Sequence, residues 1–570
     1  MINRKHTTKV LSGLLLLAAS LITSCSKTDD FSDSIQSADA RPSLDFLALT
    51  NTSQLLRYNS ANSSQSVGGV ISITGLQTSE NIVAIDYRPA TGQLYGLGMV
   101  GTTTARIYIL PAALTTTSTS AASITARIVG TTITTTGGVA GFDFDPTTDK
   151  IRLVTTTGQN FLVDPETGVA TSQTAITGGT NPKVTGVAFS NNVAGAATTD
   201  LYDLDVANQK IYKQTPATGA ITEVGTTGLV ALPSVEYLTG TNVATARTAA
   251  AGGFDIAPNG TALAVLMANS APAIPLGGIV AENLVTGVKP IPAAAVSAAT
   301  GTATLFKINL ETGRATDLGV LIIPATTTAT QIIGLAIAPS PVAYAINDAD
   351  NKLLVFNPTN PGTPVAKAIT GLQASETILG IDFRNSNGQL YALGSSSRLY
   401  TIDLGSGAAT STGLLPFTTA LDGTSFGFEV NQAATPFIRT VSNTGQQLRI
   451  SVAGAVTNVD AVIASATKMT GATYNSSGVL YTLDTETNNL YSQKTADANT
   501  ATFTKVGKLG LTVDAANGFD IGLSSGTAYA ILTTSSGTRL YQITLSTGLA
   551  VTPGVAFPSK VRGFTLAPGF

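Results

Sequence analysis

The chain has one histidine, one cysteine and no tryptophan, and only 11% of its 570 residues are charged. The histidine, His6, and the cysteine, Cys25, both lie close to the N-terminus. A Ser-His-Asp triad, a Cys-His pair and histidine-ligated zinc are therefore excluded from everything beyond residue 25. A single cysteine also excludes an internal disulfide, so an oxidising compartment is compatible with the sequence without being required by it. The formal net charge is −3, from 31 Lys and Arg against 34 Asp and Glu, with no basic stripe to neutralise phosphates. That argues against nucleic acid as a partner. The lack of tryptophan removes the usual stacking platform for sugars, and no pair of acids stands out as a glycosidase pair.

What is present begins with a targeting segment. Arg4, Lys5 and Lys9 precede an apolar run from Val10 to Leu21, which is short of the roughly 20 residues a membrane-spanning helix needs. The order Ile22, Thr23, Ser24, Cys25 resembles the lipobox cut by signal peptidase II in bacterial lipoproteins. Residues 1–24 are thus expected to be a signal peptide and Cys25 the acylated N-terminus, held on a bilayer by its acyl chains. Cleavage removes three positive charges and takes the formal net charge to about −6. Residues 25–42 read as a tether, whose acidic Ser26–Asp33 stretch is similar to the export signal of outward-facing Bacteroidota lipoproteins. Asp33-Ser34-Ile35 is similar to the O-glycosylation pattern of that phylum, with Ser34 as acceptor.

Beyond the tether the chain reads as strands, rich in Val, Ile, Thr, Phe and Tyr and broken by Gly, Asn, Asp and Pro. It is an internal duplication: Ile73–Glu80, Ile85–Arg88 and Gly92–Gly98 recur as Ile369–Glu376, Ile381–Arg384 and Gly388–Gly394. Within each copy, a strand opening on a small residue recurs at Ala84, Gly141, Gly186, Gly253, Gly334, Gly380, Gly427, Gly471, Gly518 and Gly563. All but the last lead into further short strands, the pattern of an all-β β-propeller with four-stranded antiparallel blades. Ten blades allow one ring or two five-bladed units, 43–338 and 339–570. Only Pro339-Ser340-Pro341 separates the halves, reaching about 10 Å, which favours a single continuous ring. In that ring the strand at Asp45–Thr50 and the final strand at Gly563–Ala567, each without its own partner, are expected to pair and hide their edges.

Gly141-Phe-Asp-Phe-Asp-Pro146, Ile151–Val154, Thr157–Asn160 and Val163–Gly168 resemble a bacterial secreted domain of unknown function catalogued as family 4394. A second copy follows at Gly427–Val430, Ile438-Arg439 and Asn443–Gln446, with Glu429 and Asn431 in place of Asp143 and Asp145. The resemblance implies an extracytoplasmic propeller-like domain and brings no established activity.

The third position of the recurring strand is acidic in six cases: Asp86, Asp143, Asp255, Asp382, Glu429 and Asp520. Equivalent positions on equivalent strands could converge on a channel and hold a hard cation such as Ca²⁺. The competing reading makes them hydrogen-bond acceptors that fix the spacing of blades, because the other four positions are Ala188, Ala336, Thr473 and Thr565. Arg88, Arg384, Arg152 and Arg439 are expected in internal ion pairs, and Asp-Pro-Glu-Thr-Gly at 164–168 is expected to be turn chemistry. An apolar insertion at 270–302 is a candidate contact loop that can equally fold over its own blade. The reading is a monomeric, lipid-anchored outer-membrane propeller on the cell exterior, binding a surface protein or polysaccharide without catalysis. Its rival is a metal-assisted, carboxylate-only hydrolase or lactonase-like enzyme.

Overall fold

The computed structural model describes residues 41–570 except 112–121, 229–249, 269–301, 325–329, 465–467, 495, 496, 498 and 552–554. The signal segment, Cys25, Ser34 and nearly all of the 270–302 insertion lie outside the described residues. Among the described residues there is no α-helix, and the strands form nine four-stranded sheets and one of five. Neighbouring strands pair antiparallel, except where Ala122–Thr125 adds in parallel to the five-stranded sheet.

The small residue that opens each recurring strand has a steric reason. A Cβ on Gly141 would lie 2.4 Å from a Val187 methyl group, one on Gly186 2.8 Å from Phe254 Cβ, and one on Gly253 2.4 Å from the backbone nitrogen of Leu335. In each case the atom met belongs to the residue just after the small residue of the next recurring strand. These strands are therefore the inner strands of successive blades, and each glycine makes room for its neighbour's second side chain. In the second half the series runs Gly380 to Phe428, Gly427 to Ala472, Gly471 to Phe519 and Gly518 to Phe564. Gly563 then meets Ile381, which returns the series to its start.

The inner strands follow the same cycle. Asn81–Tyr87, Val139–Asp145, Gly186–Phe189, Ala250–Ile256 and Ile332–Ile337 touch in that order, and the last touches the first. Ile378–Arg384, Phe426–Val430, Met469–Tyr474, Ala515–Ile521 and Val561–Leu566 make a second closed cycle. The continuous ten-membered ring is thus corrected to two rings of five.

The two end strands do not pair with each other either. Asp45–Thr50 pairs with Ile332–Ile337 and closes the first ring, while Val561–Leu566 pairs with Ala343–Asn347 and closes the second. The short linker suffices because it does not travel from axis to axis. It leaves the end of an inner strand and lands on the second strand of the other ring's closing sheet.

The rings meet through Lys150 Nζ to Asp403 Oδ2 at 3.1 Å, and through Gln93 Nε2 donating to the Asn385 carbonyl at 2.9 Å. The Tyr344 hydroxyl donates to the Ala90 carbonyl at 2.7 Å.

Gly427 tests the packing rule. An alanine there would put its Cβ 2.6 Å from Ala472 Cβ and 2.7 Å from the Ala472 backbone nitrogen, with no flexible side chain to give way. Gly427→Ala is expected to destabilise the second ring by about 3 kcal/mol, read by denaturant unfolding. An unchanged midpoint would disprove the close approach.

Candidate functional site

The six acidic positions separate by ring into two trios, Asp86–Asp143–Asp255 and Asp382–Glu429–Asp520. In each trio one oxygen per residue lies within 4.8 Å of the others, and all six side chains are buried.

Each acid also makes the same link to the next blade, accepting the backbone N–H of the residue after that blade's third position. Asp86 Oδ2 takes Phe144 N at 2.8 Å, Asp143 Oδ1 takes Phe189 N at 3.0 Å, and Asp255 Oδ2 takes Ile337 N at 2.6 Å. In the second ring Asp382 Oδ2 takes Val430 N at 2.6 Å, Glu429 Oε1 takes Tyr474 N at 3.1 Å, and Asp520 Oδ2 takes Leu566 N at 2.7 Å. The other oxygen of Asp86, Asp255 and Asp520 accepts the N–H of the residue that follows in its own strand. The blade-spacing role is therefore present at every one of the six positions.

The non-acidic positions differ between the rings. Ala188 and Ala336 add no polar atom to the first trio, whereas the Thr565 hydroxyl lies 2.8 Å from Asp382 Oδ1 and 3.0 Å from Asp520 Oδ2. The Thr473 hydroxyl donates to Asp520 Oδ1 at 3.3 Å. The sequence pattern marked these threonines only as exceptions, although they complete the second ring's polar circle.

Burial pushes all six carboxyl groups above the usual range, helped by the neighbouring acids at Asp86, Asp143, Asp382 and Glu429. Asp255 rises to about 7 and Asp520 to about 6, both through burial, while their backbone N–H bonds pull the other way. Three such groups in contact cannot all carry charge without a counter-charge, so each trio is built to share protons or to accept a cation. A Ca²⁺ ion takes six to eight oxygens. The first trio supplies three side chains with alanine at the two remaining ring positions, a thin donor set for calcium and a sufficient one for shared protons.

The arginines divide. Arg88 forms a buried pair with Asp149 and reaches Glu166 at 3.1 Å, and Arg439 pairs with buried Asp460. Arg152 instead donates to Asn160 Oδ1 at 2.9 Å, and Arg384 has no ion pair among the described residues. Asp164 Oδ1 accepts Glu166 N and Thr167 N, both at 2.9 Å, with Gly168 at φ +69°, so this segment is a turn as its composition implies.

A cavity of about 810 Å³ lies over the second trio, lined by Asp382, Glu429 and Asp520 and by side chains from turns and outer strands. An adjoining cleft of about 720 Å³ shares the wall made by Phe437 and Arg449. Sequence reading did not find this wall, because its residues come from separate strands with no motif in common.

Two closed rings of antiparallel blades, each joined inside by a circle of buried acids, define a β-propeller protein with a repeated inter-blade lock. The chain belongs to the family described as Domain of unknown function (DUF4394), which matches residues 54–336 and 352–565. No curated protein matches the chain. Similar solved structures include a streptogramin B lyase, at 11% identity and TM-score 0.21 over 70% of this chain and 91% of that one. A protein of unknown function from Bacteroides caccae is 10% identical, at TM-score 0.27 over 40% of this chain and 99% of its own. The extracellular domain of a one-component system from B. thetaiotaomicron is 10% identical, at TM-score 0.24 over 92% and 72% of the two chains.

Proposed function

We propose that this is a lipid-anchored, outward-facing binding module of the outer membrane, in which two propeller rings form a rigid, non-catalytic frame. The observation that carries the non-catalytic reading is the use made of the acids. All six are committed to backbone N–H groups of the next blade, so every acid of the two trios has a structural use in joining neighbouring inner strands.

The anchor reading rests on the basic, apolar and small-residue order before Cys25 and on the polar stretch after it. Cys25→Ser is expected to abolish incorporation of a labelled fatty acid and to move the protein out of the membrane fraction. Retention of label in that variant would refute the anchor. Surface exposure is checked on intact cells with an added protease, which should cleave the wild-type chain; complete protection would place it on the inner face.

A further inference from the structure

The wall between the two cavities carries an excess of positive charge. Arg439 and Arg449 both pair with the same oxygen of Asp460, Arg449 through Nε at 3.0 Å. Arg439 and Asp460 are fully buried, whereas the Arg449 side chain is 21% exposed and lines the cleft. Among the described residues Asp460 is the one acid in that lining, so two guanidinium groups share a single carboxylate and one positive charge is left over. Arg449 Nη2 donates to Asn499 Oδ1, and its Nη1 makes no hydrogen bond among the described residues. The guanidinium lies 5.6 Å from the centroid of the Phe437 ring, whose face it covers and which holds it in place.

The first ring has the opposite balance. Arg439 pairs across its sheet with Glu429 and Arg449, as Arg152 pairs with Asp143 and Leu162, so a leucine stands where the second ring has Arg449. Arg152 feels the charges of two acids, Asp145 and Asp203. Their counterparts in the second ring are neutral, Asn431 and Thr482. One arginine beside two acids has thus become two arginines beside one. Arg439 already pairs with Asp460, so Arg449 adds repulsion between the two guanidinium groups, which an anion in the cleft would relieve.

We infer that the cleft binds a hydroxylated monocarboxylate, the class of the sugar acids, with its carboxylate against Arg449. A single surplus charge matches a monoanion better than a phosphate ester or a polyacidic peptide. Thr435, Ser451, Asn458 and Asn499 also line the cleft and offer hydroxyls and carboxamides to the ligand's own hydroxyl groups. The anion belongs in the cleft and not in the adjoining cavity. That cavity has Lys494 in its lining, but also Asp382, Glu429 and Asp520, which oppose a negative group as they ionise. The cleft's volume of about 720 Å³ is in the range of small-ligand sites.

This inference rests on the binding-module reading. The mature chain, purified from membranes in detergent, is titrated in a calorimeter with glucuronate, galacturonate and their short oligomers, with glucose, galactose, glucose 6-phosphate, spermidine and an acidic peptide as contrasts. The titrations are repeated at low and high salt, and on Arg449→Leu and Arg449→Gln after each is checked for an unchanged melting midpoint. Arg449→Leu restores the first ring's residue and leaves Asp460 paired with Arg439. The expected result is uronate binding that weakens as salt is raised and falls roughly tenfold in either variant. Binding of a neutral sugar, phosphate ester, polyamine or peptide alone would overturn the inference and leave the module reading standing. Uronate binding that ignores salt, or that is unchanged in a folded variant, would move the site away from Arg449 and also overturn it. No binding of any probe would sink both readings.

Discussion

Asp520→Ala is expected to lower the melting midpoint of the second ring by about 6–12 °C. Asp520 accepts hydrogen bonds from Leu566 N, Ile521 N and the Thr473 hydroxyl, and it shares the Thr565 hydroxyl with Asp382. Alanine leaves two buried backbone N–H groups without an acceptor, each costing about 1–3 kcal/mol, while relief of repulsion from Asp382 and Glu429 offsets part of the loss. A net loss of about 3 kcal/mol corresponds to that shift for a unit of this size. Asp520→Asn keeps the shape and one acceptor oxygen and should lose less than half as much. Hydrogen exchange adds a local readout: the amides of Leu566 and Ile521 should lose protection in the alanine variant ahead of the rest of the ring. A variant that melts as the wild type, with those amides still protected, would show that Asp520 does not lock the blades.

The second large effect is on pH. In the folded chain the six carboxyl groups hold protons to higher pH than in the unfolded chain, with Asp255 at about 7 and Asp520 at about 6. Between about pH 4 and pH 7 the folded state therefore binds more protons than the unfolded one, and stability falls as pH rises through that window. Asp255 alone accounts for a change on the order of 4 kcal/mol. Asp164 and Asp403, held below their usual range despite burial by Lys150, backbone N–H groups and, for Asp403, Ser406, act in the opposite sense and favour folding only above about pH 4. The melting midpoint should accordingly peak near pH 4–5 and drop by about 10 °C by pH 8. A midpoint that climbs from pH 5 to pH 8 would mean that the trios are charged and neutralised by something other than protons.

The blade pattern was legible because two local demands recur at every inner strand. A small residue is needed where the next blade's side chain presses in, as at Gly141 beneath Val187, and an acid or threonine is favoured two positions later. Those demands repeat in sequence, so Ala84 and the nine glycines marked all ten inner strands.

The ring count was not legible, because closure depends on which distant strand covers Gly563 or pairs with Asp45–Thr50. Nothing near those residues distinguishes a return after five blades from a return after ten. The acids were found singly, but their division into two trios follows from closure and was hidden with it. The wall of Phe437 and Arg449 left no trace either, since a site assembled from turns and separate strands has no spacing to detect.

The central claim is that the buried acids lock the blades while holding protons, and it is tested most directly by melting the purified mature chain at pH 5 and pH 8, each in chelator and in millimolar calcium. The account predicts the higher midpoint at pH 5 in both media and the same fall by pH 8 whether or not calcium is present. A calcium-dependent rise that brings the pH 8 midpoint level with or above that at pH 5 would contradict it and make the two trios cation sites.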